Sequence, residues 1–179
     1  MRLTGTKPLV LAGLCLAGTQ AGALTINPTS SGSDLTSEIL GSGITVDGGS
    51  INYVGQTGQA ATFTGGLSAD IGIDSGILMT SGSAANAVGP NSADNTTTNL
   101  GTPGDPTLDS LVGGETRDAN VLEFDFESEG GDLFFNYVFA SEEYNEYVGS
   151  QFNDVFAFTV DGVNIATIGP DDDAVSINN

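Results

Sequence analysis

The sequence predicts an all-β protein, a two-sheet β-sandwich of jelly-roll type with two short helices. Three observations predict it. At least seven short apolar runs are each bounded by Gly, Pro, Asn or Asp, as strands and their turns require. Only two segments carry a helical period with stop signals around them. Glycine numbers 26 in 179 residues and charged residues are 15%, against roughly 25% in an average domain, so turns are many and charge is concentrated. The length fits one domain with a short appendage.

Residues 1–23 read as an export signal. Arg2 and Lys7 form a positive region, residues 9–17 an apolar core, and Ala21-Gly22-Ala23 a cleavage site before Leu24. The apolar run falls short of the about 20 residues that span a bilayer, and no later stretch is long enough. Residues 24–179 are then a single domain. A polar lead-in at 24–33 precedes a helix over 34–40, with Asp34 as cap, Leu35 and Ile39 on one face and Gly41 as stop. Strands follow at 44–46, 51–54, 60–64 and 77–80, the last approached through Asp74-Ser75-Gly76. Residues 82–104 form a long polar loop, and loops of that length are functional or held by something bound. Asp105 caps a second helix with Pro106 at its first position; Leu108, Leu111 and Val112 make its buried stripe and Gly113 ends it.

The C-terminal third alternates most clearly. Residues 122–127 place Leu122, Phe124 and Phe126 on one face and three acids on the other. Residues 133–140 are apolar on both faces apart from Asn136, which predicts a central strand buried on both sides. Residues 155–160 are similar, and Asp161-Gly162 turns them into a hairpin with 163–168.

Charge excludes whole classes of function. The chain has 23 Asp and Glu against 3 Lys and Arg, and after Lys7 its only base is Arg117. Nucleic-acid binding has no basic footprint to use. With no His, the chain offers neither a Ser-His-Asp nor a Cys-His mechanism, nor imidazole for a metal. Its one cysteine, Cys15, lies in the export signal, so the mature chain forms no disulfide and needs another device to hold its loops. Bound calcium is the expected device.

The segment Ser141-Glu142-Glu143-Tyr144-Asn145-Glu146-Tyr147 puts three carboxylates just beyond a strand. Two unit charges about 4 Å apart repel by roughly 4 kcal/mol at an effective dielectric near 20. Such a cluster needs splayed side chains, a proton or a cation. Oxygen-only ligand sets suit calcium, and Asn153 and Asp154 would add an amide and a carboxylate on the same edge. The candidate calcium ligands are Glu142, Glu143, Glu146, Asn153 and Asp154, with Asp118 as a weaker sixth. A solvated acidic loop explains the same residues equally well. A glycosidase pairing Glu142 or Glu143 with Glu146 or Asp154 is a third reading, with Tyr144 and Tyr147 as sugar platforms, but it lacks Trp. Asp70 and Asp74 read as turn formers, Asp109 points outward within reach of a cation, and Arg117 is expected to pair with an acid.

Several strings occur together in order. They are Gly76-Ile77-Leu78-Met79-Thr80-Ser81-Gly82, Gly89-Pro90-Asn91, Pro103-Gly104-Asp105, Asp118-Ala119, Leu122-Glu123-Phe124-Asp125-Phe126, Phe139-Ala140-Ser141-Glu142-Glu143-Tyr144 and Phe152-Asn153-Asp154-Val155-Phe156. The order resembles the bacterial choice-of-anchor L domain. The resemblance implies an exported surface protein that ends in one of several alternative sorting tails, and it implies no established enzymatic activity. The chain stops at Ser176-Ile177-Asn178-Asn179 without such a tail, so truncation at the C-terminus is expected. Thr107 stands where an acid is usual and Thr159 where an aromatic is. The expected function is a non-catalytic, calcium-stabilised module of the cell surface or extracellular matrix for adhesion or assembly. Its ligand would lie outside the cell or on its surface, with glycan one candidate. A carbohydrate-binding module and a secreted glycosidase are the alternatives.

Overall fold

Glycine-bounded runs become short strands, and the distant partners they choose build several small sheets. The computed structural model describes residues 24–90 and 93–179; the export signal expected at 1–23 lies outside the described residues. In chain order the elements are β1 (Thr25–Pro28), α1 (Gly32–Ile39), β2 (Ile44–Val46), β3 (Asn52–Val54), β4 (Ala60–Thr64), β5 (Ser75–Met79), a 3-10 turn (Ala84–Val88) and α2 (Pro106–Val112). They continue with β6 (Val121–Glu123), β7 (Phe126–Ser128), β8 (Val155–Phe156), β9 (Thr159–Val160), β10 (Val163–Asn164), β11 (Thr167–Ile168) and β12 (Asp173–Ser176). The class is all-β and sandwich-like with two short helices, and the described strands close no barrel.

Two three-stranded antiparallel sheets hold the core. In β1-β4-β5 the central strand buries Ala60, Ala61 and Phe63. Helix α1 packs on β4 and β5 with Leu35 fully buried. In β11-β12-β8 the central strand buries Val175 and Ser176, with Ile177 just beyond, and α2 packs on β8 and β12. The pairs β2 with β7, β3 with β6 and β9 with β10 complete the sheets. Strand β1 falls in the segment read as a polar lead-in.

Local chemistry explains most boundaries. Asp105 Oδ1 accepts from the Thr107 and Leu108 amides at 2.8 and 3.3 Å, and Gly113 closes α2 in the left-handed conformation at φ 67°. The first helix starts earlier than expected: Ser31, not Asp34, is its cap, with Ser31 Oγ accepting from the Asp34 amide at 3.2 Å. Asp34 sits in the first turn instead, where its charge suits the helix dipole. Asp161 and Gly162 both take positive φ, 50° and 78°, the two-residue turn that pairs Val160 with Val163.

Two expected strands are interrupted. Residues 122–127 keep their alternation, but β6 pairs with β3 and β7 with β2. Between them Asp125 turns to the 47–50 loop, its amide donating to Ser50 Oγ at 2.7 Å and its carbonyl accepting from the Asp47 amide at 3.0 Å. Residues 155–160 break at Phe158, whose amide donates to Asn164 Oδ1 at 3.1 Å rather than to a strand.

Residues 133–140 depart further. They join no ladder and are largely exposed, Phe134 at 88%. Apolar residues on both faces mark a buried central strand only when layers cover both faces. Here ring pairs tie the segment to its neighbour without backbone pairing. Phe135 stacks on Phe158 with centroids 3.9 Å apart and Tyr137 meets Phe156 at 5.1 Å, which sets the run antiparallel to 156–158.

Candidate functional site

The long polar loop is held by hydrogen bonds that converge on residues 116–120. Asp118 is buried, with its backbone at φ 52°, a conformation Asp tolerates. Its Oδ1 accepts from the Thr102 amide at 2.6 Å and the Thr102 hydroxyl at 2.9 Å, and its Oδ2 accepts from the Leu100 amide at 3.0 Å. Burial opposes ionisation of this carboxyl. The bonds from Thr102 and Leu100, with Arg117 nearby, outweigh burial and hold its pKa below the usual carboxylate value. Two backbone bonds, from the Asp118 amide to the Thr102 carbonyl and from the Ala119 amide to the Pro103 carbonyl, are each 3.1 Å and complete the clamp.

Neighbouring residues extend this clamp. Thr116 donates from both its amide and its hydroxyl to Asp109 Oδ1 at 2.6 Å, so Asp109 is folded back on its own loop and its pKa is lowered. Gly104 lies against Thr116 so closely that a Cβ would overlap the Thr116 carbonyl and hydroxyl. Behind the clamp, buried Gln59 donates to the Asp118 carbonyl at 2.6 Å, and Asn120 donates to the Gln59 and Thr80 carbonyls at 2.8 and 3.2 Å. These side chains, which sequence reasoning did not single out, stabilise loops in a stretch where calcium was the expected device.

The acidic edge lies after residues 133–140. Residues 141–150 fold as successive turns. Ser141 ties them to the start of β8: its hydroxyl donates to Asp154 Oδ2 at 3.1 Å and accepts from the Glu143 amide at 3.2 Å. Partial burial raises the Glu143 pKa above the usual carboxylate value, and the negative charges of Asp154 and then Glu142 raise it further. Glu142, Glu143 and Asp154 therefore share one electrostatic neighbourhood, as their sequence positions suggested. Glu146 and Tyr144 are exposed. Asn153 Oδ1 accepts from the Asn178 amide at 2.9 Å, and the Asn178 side chain bonds Gly149 and Ser150, binding the acidic turns to the end of the chain.

The six expected ligands are thus not drawn into one cage. Asp118 uses its carboxylate on Leu100 and Thr102, and Asn153 uses its carbonyl oxygen on Asn178. Among the described residues, no group of three or more His, Cys, Asp or Glu is placed to hold a metal ion. Two clefts lie elsewhere. One, of 260 Å³, runs between 54–56 and 102–105; the other, of 540 Å³, separates 71–73 from 135–138. Ser141 could have been picked out in the sequence as a hydroxyl two residues before Glu143, the spacing of a hydroxyl-capped turn.

A family model described as the choice-of-anchor L domain matches residues 25–179, from β1 through the clamp and acidic edge to the end of the chain. The chain belongs to that family. No curated protein and no solved structure matches it significantly. This choice-of-anchor L domain is an exported bacterial surface-protein module. None of its described helices is long and apolar enough to cross a membrane.

Proposed function

We propose that the domain is a non-catalytic module for adhesion or surface assembly, presented outside the cell after removal of residues 1–23, and that calcium stabilises it. The observation that carries this reading is the family match over residues 25–179. The acid excess supports the calcium part. Glu142, Glu143 and Asp154 lie close enough that the latter two are linked through Ser141 and the Glu143 pKa rises. Calcium relieves that repulsion by drawing these carboxylates together, with water completing its shell. Glu146 and Asn153 are the nearest further donors. A surface module of this charge also stays monomeric and soluble through self-repulsion and meets its target by complementary charge.

Binding of the exported protein to glycan arrays and to purified surface components, with calcium and with EDTA, tests the reading. Binding that calcium strengthens, with no hydrolysis of any bound glycan, is the expected outcome. Glycan turnover that Glu143→Gln abolishes in a folded protein would replace the module with a glycosidase.

A further inference from the structure

Residues 133–140 are an extended apolar run whose backbone is unpaired. Among the described residues, no amide or carbonyl of 131–140 takes part in a hydrogen bond, within a ladder or to a side chain. An extended run with free donors and acceptors is a template for another strand. One flank lies along 156–158 through the two ring pairs. The 540 Å³ cleft opens between 135–138 and the turn at 71–73, with Ile71, Ile73, Tyr137 and Val138 among its walls. Four extended residues span about 14 Å, so a partner strand would pair over 135–138 and continue past both ends. Phe134 and Val138, 88% and 54% exposed, offer apolar contacts on one face.

Charge decides the occupant. Glu127, Glu129 and Asp132 precede the run and Glu142, Glu143 and Glu146 follow it. A second copy paired antiparallel would bring Asp132 towards Glu142 and Glu143 at both ends, and like charges opposite one another destabilise a strand pair. We propose that residues 133–140 accept an added β-strand from a partner protein, an extended segment with apolar residues at alternate positions and Lys or Arg at both ends. This goes beyond the surface-module reading, since it requires neither calcium nor a particular anchor. Backbone pairing would supply affinity and the flanking charges selectivity.

The test uses the full chain and synthetic peptides of alternating Val and Thr, flanked by Lys pairs, by Glu pairs, or by Lys pairs with a central Pro. Hydrogen exchange by mass spectrometry reads residues 133–140, and sedimentation reads self-association. At about ten times its dissociation constant the Lys-flanked peptide is expected to slow exchange there roughly tenfold. The Glu-flanked and Pro-interrupted peptides should leave it fast. Asn136→Pro, at an exposed position that makes no hydrogen bond, should keep the fold and weaken the Lys-flanked peptide at least about tenfold. Should that variant misfold, the three peptides on the wild-type chain decide alone. No protection by the Lys-flanked peptide, or equal protection by its Glu-flanked twin, overturns the proposal. So does a dimer in which 133–140 is already protected.

Discussion

Asp118→Asn isolates the clamp on the long loop. Asn tolerates the left-handed backbone at φ 52° as Asp does, so the substitution changes only the carboxylate. The wild-type group accepts three bonds, two on Oδ1 from Thr102 and one on Oδ2 from the Leu100 amide. An amide keeps one oxygen, best used on Thr102, and turns an NH2 towards the Leu100 N–H. One charge-assisted bond is lost and the other two weaken. Bonds to charged groups contribute about 1.5–3 kcal/mol each, so the expected loss is about 2 kcal/mol. For a domain of this length that lowers Tm by about 4–8 °C. The pKa of Asp118 is depressed in the folded state, so the stability it adds is present above the unfolded value near 3.9 and disappears as pH falls through the folded value. Thermal unfolding of wild type and variant from pH 7 to pH 2 reads this directly. The gap should be full at pH 7 and shrink in acid, with faster amide exchange at Leu100 and Thr102 in the variant. An unchanged Tm at pH 7, or a gap that persists in acid, would refute the clamp.

Two further outcomes follow from the same bonds and burial. Leu35→Ala empties a fully buried position between α1 and the β1-β4-β5 sheet, which should cost about 2–5 kcal/mol in chemical denaturation with little change in the slope. Glu143→Gln acts in the opposite direction. The folded pKa of Glu143 is raised, so its contribution is most favourable in acid and is lost as pH rises through the folded value. In EDTA the variant should therefore match wild type near pH 3 and exceed it at pH 7, by less than about 1 kcal/mol because the group is only partly buried and solvent screens the repulsion. A variant less stable than wild type at pH 7 in EDTA would show that Asp154 and Glu142 do not repel Glu143.

Elements with their own local chemistry were legible in the sequence. Asp105, Pro106 and Gly113 bound α2 without help from the rest of the chain, and Asp161-Gly162 sets its hairpin in the same way. Ser31 and Asp34 are both good caps, and the choice between them depends on where the preceding strand ends, which Pro28 pairing with Ala61 decides at long range. Strands β1 and β12 are polar or short of apolar alternation, and their partners make them strands: the distant β4 for β1, and the adjacent β11 together with β8 for β12. The run 133–140 shows the opposite limit. Its composition asks for two covering layers, but burial depends on the neighbours a segment finds, and this one finds aromatic rings on one flank. In the candidate site, the segment before Glu142 and Glu143 is not the strand its composition suggests, and their proximity to Asp154 comes instead through Ser141, which bonds both Asp154 and the Glu143 amide. The engagement of Asp118 with Thr102 was not legible, because an Asp sixteen residues from a Thr carries no periodic or motif signal.

Thermal unfolding in EDTA, calcium, magnesium and sodium chloride at matched ionic strength tests most directly whether calcium stabilises this surface module. A single site that binds the folded state alone adds about 2.7 kcal/mol at a hundred times its dissociation constant. That corresponds to a rise in Tm of about 5–11 °C. Screening of a net charge of −20 raises Tm with any cation according to ionic strength. The account predicts a calcium shift well above those of magnesium and sodium, absent from the variant carrying both Glu143→Gln and Asp154→Asn. A calcium shift equal to that of magnesium, or one that survives the double substitution undiminished, would contradict it and make the acidic edge a solvated surface.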